Sequence, residues 1–356
     1  MIYPQKTNCK MKLLRIYLLL IVCNATTTLC AQDVHFTQAE DAPLLLCPAL
    51  AGMSNLDYRV ALNYKNQWPG IGKGYNTINA SIDLPAFRSA EAKRSRGSYL
   101  GAGLHILKDF AGEAAFGVTN FGLTITGVTP LGYSSKASFG LQSGISQRSA
   151  NADKLTWSTQ YINGAYDKDG PGEGDRLTSI GYADWAFGLA YEFESESESF
   201  AGFSSAKIKA GMSVYHFNKP KVEIVGAVLD VVYRKQVYFV NGMFDIGETK
   251  YAFNPSFTFY KQGPNKEMLV GILFRMRSGG NSKFTGNTDA NGFGFGAIVR
   301  VGDAIAPAIN YQKNNIQFGL SYDITYSKLS RSGAGGAEIS FKIIPKRRTP
   351  YMHKYS

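Results

Sequence analysis

The side chains best suited to chemistry are four histidines and four cysteines, and they form no recognisable catalytic or metal-binding motif. His35, His105, His216 and His353 stand in four unrelated contexts. Hydrolases and zinc enzymes place such residues at short fixed spacings, as in HExxH, GxSxG or CxxC, and none of these patterns occurs. We therefore expect no enzyme and no cofactor, and we interpret His105 and His216 as ordinary residues of a strand wall.

Three loops carry weaker signals for ligands. Residues 70–74 are glycine-rich like a phosphate loop, but no helix follows them, so a hairpin turn is favoured. Residues 167–175 combine carboxylates with glycines and could supply oxygen ligands to Ca²⁺. Because they lack the spacing of a twelve-residue calcium loop, we predict no metal site and keep calcium as the alternative. Residues 194–199 alternate Glu and Ser, which favours a solvated turn over a contact with a basic partner.

The first 31 residues have the layout of a signal peptide. A cationic start around Lys12 and Arg15 precedes a short apolar run and then small polar residues. Cleavage is expected at Cys30/Ala31 or Ala31/Gln32, and Met11 is an alternative start. A lipid anchor is disfavoured because large residues precede the candidate cysteines. Cys47 is then the single cysteine of the mature chain, so no internal disulfide is possible, and we interpret it as a small packed hydrophobe.

The charge of the chain argues against nucleic acid as a partner. The formal charge is +11, and removing the leader takes away four cations and no acid, which leaves +7. Much of this remainder lies in a basic tail at 345–356. A terminal tail on an exported protein is not the basic face that nucleic-acid binding requires.

From residue 58 onward the dominant pattern has a period of two, and it predicts strands. Residues 316–324 alternate apolar and polar side chains without a break, and nothing of comparable length indicates an amphipathic helix. Many of the predicted strands run nine to twelve residues, which a tilted strand needs to cross a bilayer. We predict about fourteen strands, near 58–64, 75–84, 99–107, 115–126, 136–147, 183–193, 206–217, 231–241, 250–260, 267–277, 292–300, 304–311, 315–324 and 336–344.

These strands favour a single transmembrane antiparallel β-barrel over a secreted β-sandwich. Hydrocarbon offers the backbone no hydrogen-bond partner, so a sheet in a bilayer must close on itself. Apolar side chains then face lipid, while Asn, Gln, Ser, Glu and Gly face the lumen, as Gly292, Gly294 and Gly296 would beside outward Phe293 and Phe295. The expected interfacial girdle consists of Tyr58, Tyr64, Tyr75, Tyr99, Tyr251 and Tyr260.

The predicted organisation is a signal peptide (1–31), an N-terminal periplasmic or plug segment (32–57), the outer-membrane barrel (58–344) and the basic tail (345–356). With an even strand count both ends of the barrel are periplasmic, so the long insert 148–182 falls outside the cell. The apolar run 44–50 has no strand pattern and is unfavourable in water, so we expect the segment to fold against the periplasmic mouth.

A series of short motifs spans the mature chain in order. It resembles the PorP/SprF family of outer-membrane components of the type IX secretion system of Bacteroidota. Two departures from the family are Cys47, where Asn is usual, and the basic tail. The matching motifs are HFTQ (35–38), APL (42–44), PALAG (48–52), RVA (59–61), YKNQWP (64–69), YNT (75–77), ASID (80–83), QRS (147–149), SVYHFNKP (213–220), PS (255–256), YKQGP (260–264), SYDIT (321–325), LS (329–330) and GGAEIS (335–340).

The resemblance implies a non-enzymatic barrel that supports export or surface attachment of cargo with a C-terminal sorting domain, including gliding adhesins. Its implied partners are secretion-ring and translocon proteins, this cargo and outer-membrane lipid. A porin or hydrophobic-solute transporter is the main alternative, and an outer-membrane hydrolase is a third. The candidate partner-contact or plug residues are Phe36, Gln38, Pro43, Leu44, Pro48, Gly52, Asn66, Gln67, Trp68 and Pro69.

Overall fold

The structure is a computed structural model that describes residues 33–345, with gaps at 55–56, 71–72, 87–96, 133, 163, 168–169, 171–178, 196–202, 224–228, 248, 278–290, 328–329 and 331–334. The predicted signal peptide, most of the acidic loop 167–175, residues 196–199, His353 and residues 346–356 lie outside the described residues. Among the described residues, no helix is long and apolar enough to cross a membrane.

Fourteen antiparallel strands close into one barrel, as the alternation predicts. Consecutive barrel strands are neighbours, and the barrel closes where the first strand pairs with the last as well as with the second. The barrel strands are β1 (Arg59–Gln67), β2 (Tyr75–Pro85), β3 (Tyr99–Ala111), β4 (Phe116–Pro130), β5 (Ser135–Ser149), β8 (Ile180–Ser195), β9 (Phe203–Tyr215), β12 (Lys235–Ile246), β13 (Tyr251–Gln262), β14 (Asn265–Arg277), β15 (Gly292–Arg300), β16 (Ala304–Lys313), β17 (Ile316–Thr325) and β18 (Gly335–Ile343).

The outer surface is apolar and the inner surface carries most of the polar residues. In β17, Phe318 and Leu320 are exposed while Gln317 and Ser321 are buried. The same parity places the rings of Phe293 and Phe295 outside and places Gly292 and Gly294 inside. A soluble sheet buries its apolar face, so this inversion is what a lipid solvent requires.

Three expectations about the wall are wrong. Tyr99 and Tyr260 lie at strand ends but face inward and are buried, so they do not belong to the girdle. The lumen face is not uniformly polar, because inward Val237 and Phe239 pack in an apolar cluster with the N-terminal segment. His216 is not a strand residue, since β9 ends at Tyr215 and His216 has a left-handed backbone with φ 55°.

The described parts of the connections contain two small hairpins that the alternation did not predict. One pairs β6 (Tyr161–Ile162) with β7 (Ala165–Tyr166) inside the long insert, and the other pairs β10 (Lys221–Glu223) with β11 (Leu229–Val231). We call the rim where β1 begins and β18 ends the terminal rim, and the other rim the opposite rim. Both hairpins follow strands that end at the opposite rim. Glu194 and Ser195, expected in a turn, close β8, and Glu194 pairs with Lys207 on β9 at 3.0 Å.

Candidate functional site in the barrel lumen

Residues 33–53 occupy the barrel lumen. Their chain is irregular up to Gln38, turns at Ala39–Asp41, forms one helical turn at Pro43–Leu46 and another short turn at Pro48–Leu50. Proline suits the first position of each of the last two turns because it fixes φ and needs no N–H partner there. Cys47 stands before Pro48 and is extended, with φ −160° and ψ 127°, since the proline ring disfavours a helical predecessor.

The segment begins near the opposite rim and ends near the terminal rim. The Asp33 N–H donates to Gln262, the last residue of β13, at 2.7 Å. At the other end, the Gly52 carbonyl accepts from the hydroxyl of Tyr99, the first residue of β3, at 3.2 Å. The sequence predicts a segment folded against one mouth, whereas these contacts run along the lumen from rim to rim.

Residues 33–38, which we call the strap, are bound largely through their main chain. Lys235 Nζ donates to the Val34 carbonyl at 3.2 Å, and Lys65 Nζ donates to the His35 carbonyl at 3.1 Å. The Thr37 N–H donates to both carboxylate oxygens of Glu338, at 2.7 and 2.9 Å, and the Gln38 N–H donates to one of them at 3.2 Å. Wall side chains therefore take the place of a neighbouring strand as hydrogen-bond partners.

A buried charge network lies behind the strap. Lys65 pairs with Glu338 at 2.9 Å, and Arg300 pairs with Asp323 at 2.6 Å. The Thr37 hydroxyl bridges the second pair, because it lies 3.0 Å from an Asp323 oxygen and accepts from Arg300 at 2.9 Å. Buried ion pairs are tolerable only when their charges are balanced and hydrogen-bonded, and this network meets both conditions.

The first strap residues are held by two histidines. His216 contacts Asp33 at 2.5 Å and Asp184 at 2.9 Å. Burial alone would lower the pKa of His216, but these two carboxylates raise it to about 10, so the ring is a cation at neutral pH. Burial raises the pKa of Asp33, but His216 more than offsets this and holds the pKa below its usual value.

His35 plays the complementary part on the strap itself. It lies 2.6 Å from Glu267 and stacks on Tyr260 with ring centroids 5.1 Å apart. Burial lowers the pKa of His35 despite the opposing charge of Glu267. A void of about 10 Å³ beside this ring has room for about one water molecule and no larger ligand.

Asp41 fixes the turn that follows the strap. Lys342 donates to one of its carboxylate oxygens at 2.5 Å, and the Ser340 hydroxyl donates to the other. Asn63 donates to the Asp41 carbonyl at 3.2 Å. The turn is therefore tied to β18 and β1 at the seam where the barrel closes.

Residues 43–53, which we call the anchor, are held mainly by apolar packing. Leu44, Leu46, Ala49 and Met53 are fully buried, as the apolar run predicts. Their main-chain carbonyls still find partners, because Tyr215 donates to Leu44 and Ser213 donates to Leu46, both at 2.8 Å. Ser138 and Thr126 do the same for Ala49 and Pro48, at 2.7 and 3.0 Å.

Wall glycines make the space for the anchor. A Cβ at Gly101 would lie 2.3 Å from the Ala51 oxygen, and one at Gly140 would lie 2.5 Å from the Ala49 nitrogen. A Cβ at Gly188 would lie 2.5 Å from the Cys47 sulfur. These distances leave no room for a side chain, so the anchor packs directly against strand backbone. Cys47 is accordingly the packed hydrophobe that was predicted, and burial raises the pKa of its thiol to about 12.

The end of the anchor is clamped at the terminal rim. Arg59 pairs with Asp83 at 2.8 Å and donates to the Leu50 carbonyl at 3.0 Å. Asp83 also accepts from the Gly52 N–H at 2.8 Å. Gly52 has φ 63°, and a Cβ there would lie 2.6 Å from the Leu84 oxygen, so only glycine fits this turn.

The candidate residues from the sequence separate into two groups. Six lie in the lumen as part of the strap or the anchor: Phe36, Gln38, Pro43, Leu44, Pro48 and Gly52. The other four lie at the opposite rim. Asn66 and Gln67 end β1, Trp68 has φ 58° and donates its N–H to Gly335 at 2.7 Å, and Pro69 is exposed in the turn. The Trp68 ring meets Tyr75 edge-on at 5.4 Å.

Sequence reasoning missed the wall half of the site. Lys65, Arg300 and Glu338 were assigned no role. Charged side chains at inward-facing positions of membrane strands could have indicated a binding site in the lumen. Their partners were not legible, because Thr37 and Glu338 are 301 residues apart. Within the described ranges, no group of three His, Cys, Asp or Glu side chains could hold a metal ion.

Comparison with known proteins decides the family. A family model described as the type IX secretion system membrane protein PorP/SprF matches residues 29–343, which covers the whole barrel and the lumen segment. The chain belongs to the PorP/SprF family. As a PorP/SprF protein with a closed lipid-facing barrel, it is an outer-membrane component of the type IX secretion system. No curated protein is a significant match.

Solved outer-membrane barrels resemble this PorP/SprF protein only in fold. A monoaromatic hydrocarbon channel, the TodX deltaS2S3 mutant, has 8% identity, a TM-score of 0.42, and coverage of 85% of this chain and 94% of its own. BamA from Haemophilus ducreyi lacking POTRA domains 1–3 has 10% identity, a TM-score of 0.40, and coverage of 81% and 70%. The translocator domain of autotransporter NalP from Neisseria meningitidis has 9% identity, a TM-score of 0.33, and coverage of 86% and 95%.

Proposed function

We propose that this barrel supports export or surface attachment of cargo with a C-terminal sorting domain, gliding adhesins among them, as a docking component rather than as the conduit. The family match over 29–343 is the observation that carries this proposal. The filled lumen supports the docking role, because an unfolded chain could pass only if the strap and the anchor both left. The partners are secretion-ring and translocon proteins and the cargo itself.

The opposite rim offers a surface for such docking. The β6–β7 hairpin is ordered by a Trp157 N–H bond to Gln160 at 2.9 Å and by an Asp167 N–H bond to the Gln160 carbonyl at 2.8 Å. It exposes Tyr161 and Tyr166, whose rings lie 5.6 Å apart, beside exposed Ile162. Exposed tyrosines are frequent hot spots of protein interfaces.

The test replaces the gene in its own host with variants and measures sorting-domain cargo on the cell surface by quantitative proteomics. Loss of the protein should reduce one or more of these cargoes on the surface, while the abundance of the translocon protein that forms the secretion pore stays unchanged. A Tyr161→Ala/Tyr166→Ala variant should reduce the same cargo, whereas the control Leu131→Ala, which removes an exposed apolar side chain from the turn between β4 and β5 at the terminal rim, should not. Normal display of every such cargo without the protein would refute the proposal.

Conductance separates docking from the alternative of a porin or hydrophobic-solute transporter. With the strap and anchor in place, the purified barrel should give no stable open channel in planar bilayers and no solute uptake in liposomes. A persistent conductance or selective uptake by the unmodified chain would favour the transporter. Cross-linking in native membranes followed by affinity purification should recover secretion-ring proteins or sorting-domain cargo.

A further inference from the structure

We propose that the lumen wall facing residues 33–38 is a binding site for an extended peptide, that the strap is its resident ligand, and that the strap can leave while the anchor stays. This inference concerns the lumen and does not depend on the proposed docking function. Three observations support it: the hydrogen bonds to the strap main chain, the ion pairs that remain in the wall without the strap, and the position of Asp33 at the opposite rim.

The strap is recognised as a peptide ligand would be. Four wall side chains bind its main chain, at Asp33, Val34, His35 and Thr37, and none of these contacts depends on the identity of the strap side chain. Specificity comes from separate pockets for Asp33 at His216, for His35 at Glu267 and Tyr260, and for Thr37 at Asp323 and Arg300. Main-chain bonds for affinity with side-chain pockets for specificity are typical of extended-peptide recognition.

The wall keeps its charge balance without the strap. Lys65 retains Glu338, Arg300 retains Asp323 and Glu267, and His216 retains Asp184 at 2.9 Å. Departure therefore strands none of these three cations, and water can replace the lost main-chain bonds. Lys235 loses the Val34 carbonyl and the nearby charge of Asp33, but it begins β12 at the opposite rim and keeps the Tyr260 ring 5.4 Å away. A wall built only to hold a permanent plug has no need of this internal pairing.

The anchor lacks this property. Its departure would expose Leu44, Leu46 and Met53 to water and would empty the glycine-lined space against the strands. Each buried leucine contributes about 1.5–3 kcal/mol of transfer free energy, which no polar wall group restores. The Asp41 turn, bound by Lys342 and Ser340, marks the boundary between the two parts.

The location of the strap allows it to leave without unthreading. Asp33 lies at the opposite rim and its side chain is 30% exposed. With the predicted cleavage after residue 30 or 31, Asp33 would lie within three residues of the mature N-terminus, so the strap could peel outward from that end. The ligand that fits the vacated wall is an extended peptide with an acidic residue followed by a histidine and a threonine at the strap spacing.

The experiment uses the full chain with a weakened strap, Asp33→Asn/His35→Ala/Thr37→Val, in nanodiscs. A fluorescent synthetic peptide with the sequence of residues 33–42 is titrated and followed by anisotropy. The variant should bind this peptide at least about tenfold more tightly than the wild type, whose tethered strap competes at high effective concentration. The full chain with Met53→Ala, which truncates the anchor away from the strap, should behave like the wild type, and a scrambled peptide should not bind the variant.

Either of two results overturns the proposal: no preference of the folded variant for the native over the scrambled peptide, or equal peptide affinity in variant and wild type. Hydrogen exchange on the wild type tests release even if the variant does not fold. The amides of Asp33, Thr37 and Gln38 should exchange at least about tenfold faster than those of Cys47, Leu50 and Gly52. Equal or slower exchange of the strap amides would refute release.

Discussion

The strap meets the wall through N–H, carboxylate and ammonium groups, whereas the anchor meets it through leucines, alanines and wall glycines. Both lie in one lumen and both are largely buried. Most charged side chains behind the strap form ion pairs with one another. The strands behind the anchor, in contrast, would be left with a void and exposed apolar atoms if the anchor moved. Burial alone therefore does not make a segment permanent. The strap has one large buried apolar side chain, Phe36, whereas the anchor has Leu44, Leu46 and Met53 and would leave the larger uncompensated apolar surface if it moved.

The charge network behind the strap should give the largest effect. Arg300→Met removes the cation shared by Asp323 and Glu267 and leaves buried carboxylates short of a partner, so the free energy of unfolding should fall by about 3–5 kcal/mol. Urea unfolding followed by tryptophan fluorescence measures it. The matched control is Lys73→Met, which breaks an exposed pair with Glu113 and should change little. Equal, small losses of unfolding free energy in both variants would show that the stability of the lumen wall does not depend on the ion pairs of Arg300.

The anchor should respond to loss of volume. Leu46→Ala empties fully buried space and should lower the free energy of unfolding by about 2–5 kcal/mol. It should also raise the rate at which Cys47 reacts with a maleimide, since the buried thiol is protected in the wild type. The labelled site is located by peptide mass spectrometry. Thr37→Val should leave the Cys47 rate unchanged, and an equal rise in both variants would erase the distinction between strap and anchor.

The barrel itself could be predicted from the sequence because its signal is local. A strict period of two over about ten residues specifies a long strand with unlike faces, and all fourteen predicted strands are present. Tyr99 and Tyr260 were misplaced because aromatic residues at strand ends suit a girdle as well as a lumen. Their parity within β3 and β13, shared with inward His105 and Thr258, was the signal that assigns them to the lumen.

The lumen site could be predicted only in part. The apolar run of the anchor indicated a packed segment, because such a run is unstable in water. The charged partners of the strap could not be deduced, since Lys65, Arg300 and Glu338 come from three strands whose inward faces meet only after closure. The role of His216 could not be predicted from the sequence. One of its carboxylate partners, Asp33, lies 183 residues before it, and the other, Asp184, lies on β8.

A single methyl group added at a wall glycine should displace the anchor and lower the stability of the barrel. Gly140→Ala places a Cβ 2.5 Å from the Ala49 nitrogen, so the anchor must shift, at a cost of about 1–3 kcal/mol. Gly127→Ala is the matched control, because it lies in the neighbouring strand β4 and its Cβ would meet no atom within 4 Å. Thermal unfolding and Cys47 labelling of both variants check this. A control that loses as much stability as Gly140→Ala would mean that glycine matters for the strand rather than for the anchor.

The smallest effect is expected where the strap begins, and its sign depends on pH. His216 faces Asp33 and Asp184, with Lys235 nearby. Because its folded pKa of about 10 is above the ordinary 6.5, its contribution to stability is complete below about pH 6.5, declines as the pH rises toward 10, and is lost above that value. Because the folded pKa of Asp33 is lowered, its contribution is lost only as the pH falls below about 4.

His216→Asn isolates this contact, because asparagine tolerates the left-handed backbone but carries no charge. The wild type should exceed the variant by about 1 kcal/mol in unfolding free energy between about pH 4 and 6.5. The difference should shrink from pH 7 upward and vanish above pH 10, as measured by urea midpoints across that range. A difference that grows with pH would mean that His216 is bound as a neutral ring, and the first residue of the strap would then be held by hydrogen bonds alone.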